Sequence, residues 1–214
     1  MMEGSDTDAF QIQVIPPDEQ GCRFCIEKYK PFRLTALRED PDAFGSTYAR
    51  ELEFDDEAWL GRIKNPSAMT FVAVRVHDDQ VVASTSLIGP LPSEGPVSNP
   101  YQTVSQLGTK GEIAADKILR FQMAAVYTSP KARSRGLAKA LIKAATEKAI
   151  KRATEQDRPL ALSVVVYAAN NAAISVYERC GFVKSDEGPK LVFNACKNTS
   201  EEQIDMFYQF DASR

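Results

Sequence analysis

Arg133, Gly136 and Ala138 are spaced R-x-x-G-x-A between the apolar run FQMAAVYTSP and a long Ala/Lys/Glu-rich segment. A strand that turns through glycine into a helix presents unpaired backbone N–H groups at the positive end of the helix dipole, which favours a phosphate. The glycine lets an anionic ligand approach the backbone, and the small Ala138 keeps the helix start open. Lys131, Arg133, Arg135 and Lys139 add local positive charge to an otherwise acidic chain. The spacing is neither the GxGxxG of a dinucleotide fold nor the GxxxxGK[ST] of a P-loop. A second constellation follows a run of apolar residues: Asn170, Ala173, Tyr177 and Gly181-Phe182, within NNAAISVYERCGF. The remaining reactive side chains offer less. Cys22 and Cys25 form a CxxC pair with no second pair at zinc-site spacing, so all four cysteines read as reduced thiols and no metal is expected.

The elements that must position these residues are legible in part. FQIQVI (10–15) alternates like a first strand. Asp18 and Glu19 can open a helix with Cys22, Cys25, Ile26 and Tyr29 on one face, and Pro31 either kinks it or starts a second one. Asp40 to Ser46 reads as loop, and Asp55 or Asp56 can cap a short helix ending before Asn65-Pro66. TFVAVRV (70–76) and VVASTSLIG (81–89) read as a hairpin, with His77 in its turn. The Pro-, Gly- and Ser-rich stretch 90–117 is expected to be a lid or a flexible insertion. Then come a strand at 119–128, a helix to about residue 152, a central strand at 160–168 that is apolar at nearly every position, a short helix at 171–179, and strands at 182–183 and 203–210. The sum is one α/β domain over 1–214, with helices flanking a mixed sheet.

The 214 residues, 43% hydrophobic and 26% charged, suit a single globular domain. A net charge of −3 without an aromatic-plus-basic stripe argues against nucleic acid and fits a cationic substrate. No apolar run reaches the roughly 20 residues needed to cross a bilayer. Cytoplasmic residence is expected, with the nucleus left open, and the chain is expected to act as a monomer or homodimer.

Together the two constellations resemble the GNAT family, the Gcn5-related N-acetyltransferases. Arg133, Gly136 and Ala138 match its [QR]-x-x-G-x-[GA] pyrophosphate motif, and Asn170, Ala173, Tyr177 and Gly181-Phe182 match its N-x-x-A-x-x-x-Y-x-x-x-G-F signature. LTALREDPDAFGSTYARE also looks like the first helical region of many small-molecule members. The resemblance implies a mixed, mostly antiparallel sheet of about six to seven strands, splayed between the fourth and fifth, and acetyl-CoA as co-substrate. It places pantetheine along the backbone of Val126, Tyr127 and Thr128, with the Val126 N–H polarising the thioester carbonyl. Pyrophosphate would rest on Arg133, Ser134, Arg135, Gly136, Leu137 and Ala138, with Asn170 near the middle of the cofactor and Tyr177 the general acid at the sulfur.

The base is open. A primary amine of pKa near 10.4 is neutral in about one molecule per 2,500 at pH 7, equivalent to roughly 4.6 kcal/mol, so its proton needs a route. Protein-acetylating members often carry a glutamate four residues before the Val126 position; here Gln122 stands there and could orient a water. Glu112 and Asp116 could serve if the insertion folds over the site. The expected activity is acetyl transfer to a primary amine of a small molecule by direct attack in a ternary complex. Acetylation of a protein lysine or N-terminus, or acetyl-CoA sensing without catalysis, are the alternatives.

Overall fold

The computed structural model describes residues 9–92 and 117–210. Most of the expected insertion, with Glu112 and Asp116, therefore lies outside the described residues. The chain forms strand β1 (Phe10–Val14), helices α1 (Glu19–Phe24), α2 (Lys30–Glu39), α3 (Tyr48–Leu52) and α4 (Asp56–Lys64), strands β2 (Ala68–Arg75), β3 (Gln80–Leu91) and β4 (Leu119–Thr128), helix α5 (Leu137–Glu155), strand β5 (Leu160–Tyr167), helix α6 (Asn171–Arg179), and strands β6 (Phe182–Lys184), β7 (Lys190–Asn194) and β8 (Thr199–Tyr208).

These strands make one eight-stranded sheet in the order β1-β2-β3-β4-β5-β8-β6, with β7 also on β8. Every pairing is antiparallel except β4 with β5. The parallel pair is possible because α5 supplies the crossover between them. Period-2 alternation sends the side chains of β2 to two cores. Phe71 and Ala73 join Leu137, Leu141, Ala145 and Ala149 of α5 on one face. Val72 and Val74 pack with Tyr29, Trp59 and Ile63 of the α1–α4 layer on the other.

Of the two expectations for Pro31, the second holds: it stands at the start of a further helix rather than kinking the first. Cys25–Tyr29 form a π-helical turn between α1 and α2, in which the Lys30 N–H bonds the Cys25 carbonyl, and Pro31 sits in the first turn of α2. There its missing N–H falls where the ladder is already displaced. Asp55, rather than Asp56, caps α4, its Oδ1 accepting from the Ala58 N–H at 2.8 Å. The β7–β8 hairpin is longer than the expected final strand, because Leu191 and Phe193 face out and mask the alternation. The two CxxC thiols bond backbone carbonyls of Pro17 and Trp59, and burial pushes Cys25 up to about 12, far from nucleophilic use at neutral pH.

Candidate active site

Strands β4 and β5 run paired from Leu119/Leu160 to Met123/Val164 and then part, although β4 continues to Thr128 and β5 to Tyr167. A bulge causes the divergence. Tyr127 pairs with Ser84 and Ala124 with Ser86, so Ala125 and Val126 together oppose Thr85. Ala125 takes φ +53°, uncommon for a residue with a Cβ, and the Thr85 hydroxyl secures the bulge by donating to the Ala124 carbonyl at 3.1 Å. Residues 124–128 thus turn an unpaired backbone edge toward β5.

A cleft of about 1150 Å³ opens there, floored by Val126, Tyr127 and Thr128 and walled by the starts of α5 and α6. Ser134 and Gly136 adopt positive φ, and a Cβ built on Gly136 would meet nothing within 4 Å. Glycine is therefore required by its backbone angle, and the space before it is open to a ligand. Leu137, Ala138 and Lys139 form the first turn of α5, whose N–H groups have no partner within the helix. An extended molecule with an amide-bearing arm and a diphosphate would find strand edge and anion cradle in one continuous surface.

Asn170 caps α6, its Oδ1 accepting from the Ala173 N–H at 3.0 Å, and its outer surface lines the cleft. Tyr177 on α6 is 5% exposed, packs edge-on to Phe182, and has no hydrogen-bond partner for its hydroxyl among the described residues. Burial, with Cys180 nearby, raises its pKa, so the phenol keeps its proton across the neutral range. It lines the same cleft.

Two expected residues lie elsewhere, and so does the one histidine. Gln122 is 1% exposed in β4, between Ile88 and Ser163, outside the cleft lining. Arg135 turns its guanidinium to the Phe10 ring, 5.7 Å from the centroid. His77 stands in the β2–β3 turn beside Asp78 and does not reach the cleft.

Sequence reasoning missed the opposite wall. Asp40 and Asp42, in and after the end of α2, line the cleft with Tyr167 of β5 and Glu201 of β8. The Tyr167 hydroxyl donates to the Phe44 carbonyl at 3.3 Å, and Asn194 of β7 donates to the Gly45 carbonyl at 2.9 Å and to that hydroxyl at 3.3 Å. These bonds tie the α2–α3 turn to the β7–β8 hairpin across the end of the cleft. Burial raises the Tyr167 pKa, and the nearby Glu201 and Asp42 carboxylates raise it further. The only sequence signal for this wall was the acidic turn EDPDAFGS. Among the described residues no group of three His, Cys, Asp or Glu could hold a metal ion, and no helix is long and apolar enough to cross a membrane.

The profile of the acetyltransferase (GNAT) family matches residues 34–182. No curated protein sequence matches the chain. Among solved structures, Arabidopsis thaliana NAA60 in complex with acetyl-CoA superposes with a TM-score of 0.60 at 16% identity, over 94% of this chain and 98% of that one. The yncA protein of Salmonella typhimurium with its cofactor acetyl-CoA gives 0.62 at 13% identity, over 96% of each chain. The ribosomal-protein-alanine N-acetyltransferase of Brucella melitensis gives 0.58 at 18% identity, over 94% and 99%. At these identities the likeness is one of fold.

Proposed function

Because this chain belongs to the acetyltransferase (GNAT) family, whose members use acetyl-CoA as co-substrate, we propose that it acetylates the primary amine of a small cationic molecule. The observation that carries the acceptor class is the carboxylate-lined end of the cleft, where bonds from Tyr167 and Asn194 hold the α2–α3 turn to the rest of the sheet. An end lined by Asp40, Asp42 and Glu201 attracts an ammonium group, which favours a small cationic amine as the acceptor. NAA60 and the ribosomal-protein enzyme share the fold, which by itself does not decide between acceptors.

In this reading acetyl-CoA supplies the activated acetyl group, and the chain's own groups do the rest. The backbone edge of Val126, Tyr127 and Thr128 holds the pantetheine arm. The Val126 N–H donates to the thioester oxygen, and one such donor lowers a barrier by about 3 kcal/mol. The turn from Arg133 to Ala138 holds pyrophosphate by its N–H groups, while Asn170 fixes the start of α6 beside it. Glu201 accepts the proton of the ammonium, and the neutral amine attacks directly. As the C–S bond breaks, Tyr177 protonates the departing thiolate, whose free pKa of about 8.5 favours the thiol at neutral pH, and the second proton shed by the new amide nitrogen restores the phenol. Gln122 keeps the family's base position as a packed amide.

The test is a screen of small diamines, amino-acid amides and basic peptides with acetyl-CoA, following release of free thiol. Turnover confined to small cationic amines supports the reading. Turnover with peptides alone would move the acceptor to protein, and acetyl-CoA binding without any turnover would leave a sensor.

A further inference from the structure

Asp40 joins two segments that are far apart in sequence. Its Oδ2 accepts from the Tyr127 hydroxyl at 2.6 Å and from Arg133 Nη2 at 2.8 Å, across separations of 87 and 93 residues. Arg133 also donates from Nε to the Thr128 carbonyl at 3.1 Å, and its guanidinium carbon lies 5.9 Å from the Tyr127 ring centroid. The motif arginine is thus folded back onto its own strand and onto α2, and the turn that follows meets the cleft with backbone groups.

The anchor itself is well fixed. The Asp40 N–H bonds the Ala36 carbonyl at the end of α2, and its carbonyl accepts from Ala43 in the following 3-10 turn. Tyr127 is clamped as well, its ring 6.0 Å from Phe32 and 5.1 Å from Phe44. An ion pair with Arg133 half exposed contributes little to stability in water. Its worth lies in direction, because Val126, whose N–H serves the thioester, immediately precedes Tyr127.

We propose that Asp40 is a positioning residue: a single carboxylate fixes the cofactor edge of β4 and the phosphate-facing turn in register with the acceptor wall. Asp40 acts through Tyr127 and Arg133 and takes no part in bond making. Burial and the Asp40 carboxylate both raise the pKa of Tyr127, so the phenol stays a hydrogen-bond donor. The inference rests on the acetyltransferase reading above. A shift of about 1 Å in a positioned group can cost on the order of 100-fold in rate, so the carboxylate should matter more to turnover than to folding.

The experiment compares wild type, Asp40→Ala, Asp40→Asn, Tyr127→Phe and the Asp40→Ala/Tyr127→Phe pair. Acetyl-CoA affinity is measured by titration calorimetry at 25 °C, and kcat and both KM values are measured with whichever amine the screen finds. Asp40→Ala is expected to weaken acetyl-CoA binding about tenfold, to lower kcat on the order of 10- to 100-fold and to raise both KM values. The double variant is expected to be no slower than Asp40→Ala. Tyr127→Phe keeps the ring and should show a smaller effect of the same pattern, so the proposal can still fail if Asp40→Ala does not fold. Unchanged affinity and kcat within twofold would overturn it, as would a lower kcat at unchanged KM values, the mark of a smaller folded fraction. If wild type binds acetyl-CoA but acetylates no amine, the acceptor reading falls and the affinity series alone decides the role of Asp40. If wild type does not bind acetyl-CoA, both fall.

Discussion

On the β4–β5 side of the cleft the groups proposed to meet acetyl-CoA are backbone amides: a bulged strand edge and a turn with two residues at positive φ. On the α2–α4 side the geometry is held by side chains. Glu51 of α3, fully buried, accepts from Arg33 of α2 at 2.9 and 3.2 Å and from Arg62 of α4 at 3.0 Å. Arg33 in turn lies over the Phe44 ring at 4.2 Å, which packs on Tyr127. A ligand met by backbone groups constrains few residue identities, and those few fall at fixed spacing. A wall held by buried charge depends on three particular residues, and removing one strands the others in a medium that solvates them poorly. The two halves should therefore fail differently, one through binding and chemistry and the other through stability.

The largest expected effect lies in chemistry. Tyr177→Phe should lower kcat by roughly 100- to 10,000-fold with acetyl-CoA affinity nearly intact, read by thiol release and calorimetry. An unchanged rate would remove the acid role. Glu51→Gln should cost about 3 to 5 kcal/mol of stability, because Arg33 and Arg62 remain buried without their carboxylate. Thermal melts should show that loss while the folded protein still binds acetyl-CoA; lost affinity at full stability would erase the distinction between the two sides.

Protonation should tell the same story. The Arg33 and Arg62 partners hold Glu51 down at about 2 despite its burial. A carboxylate whose folded pKa is depressed stabilises fully above its unfolded pKa and loses that contribution as pH falls toward the folded value. Melting temperature should therefore hold from neutral pH to about 5 and fall between about 4.5 and 2, and Glu51→Gln should flatten that fall.

Gly136→Ala should cost about 1 to 2 kcal/mol, since alanine resists φ +75°, and calorimetry should register part of it as weaker acetyl-CoA binding. The smallest effect is expected for Asn194→Ala, which removes the bonds to Gly45 and Tyr167. A hydrogen bond of about 0.5 to 1.5 kcal/mol predicts a two- to tenfold rise in acceptor KM, with larger amines gaining relative to small ones in competition assays.

The same contrast explains what could be read from the chain. The extent of β4, the crossover helix and α6 were legible, and so was the spacing of both constellations, because strand alternation and a turn glycine are local signals. The acidic wall opposite was not. Asp40 reaches its partners across 87 and 93 residues, and Glu51 pairs across 11 and 18, separations with no periodicity to mark them. Glu201 was hidden for another reason: the hairpin that carries it shows apolar side chains to solvent and so resembled irregular chain. The expectation placed on Gln122 followed a family position and could not register that this side chain is packed away from the cleft.

Hydrogen exchange of the backbone amides, with and without acetyl-CoA, tests the central claim most directly. The account predicts that added acetyl-CoA slows exchange at Val126 to Thr128 and at Ser134 to Ala138, while the amides around Arg33, Glu51 and Arg62 change little. Protection absent from those two segments, or concentrated in the helical wall, would contradict it.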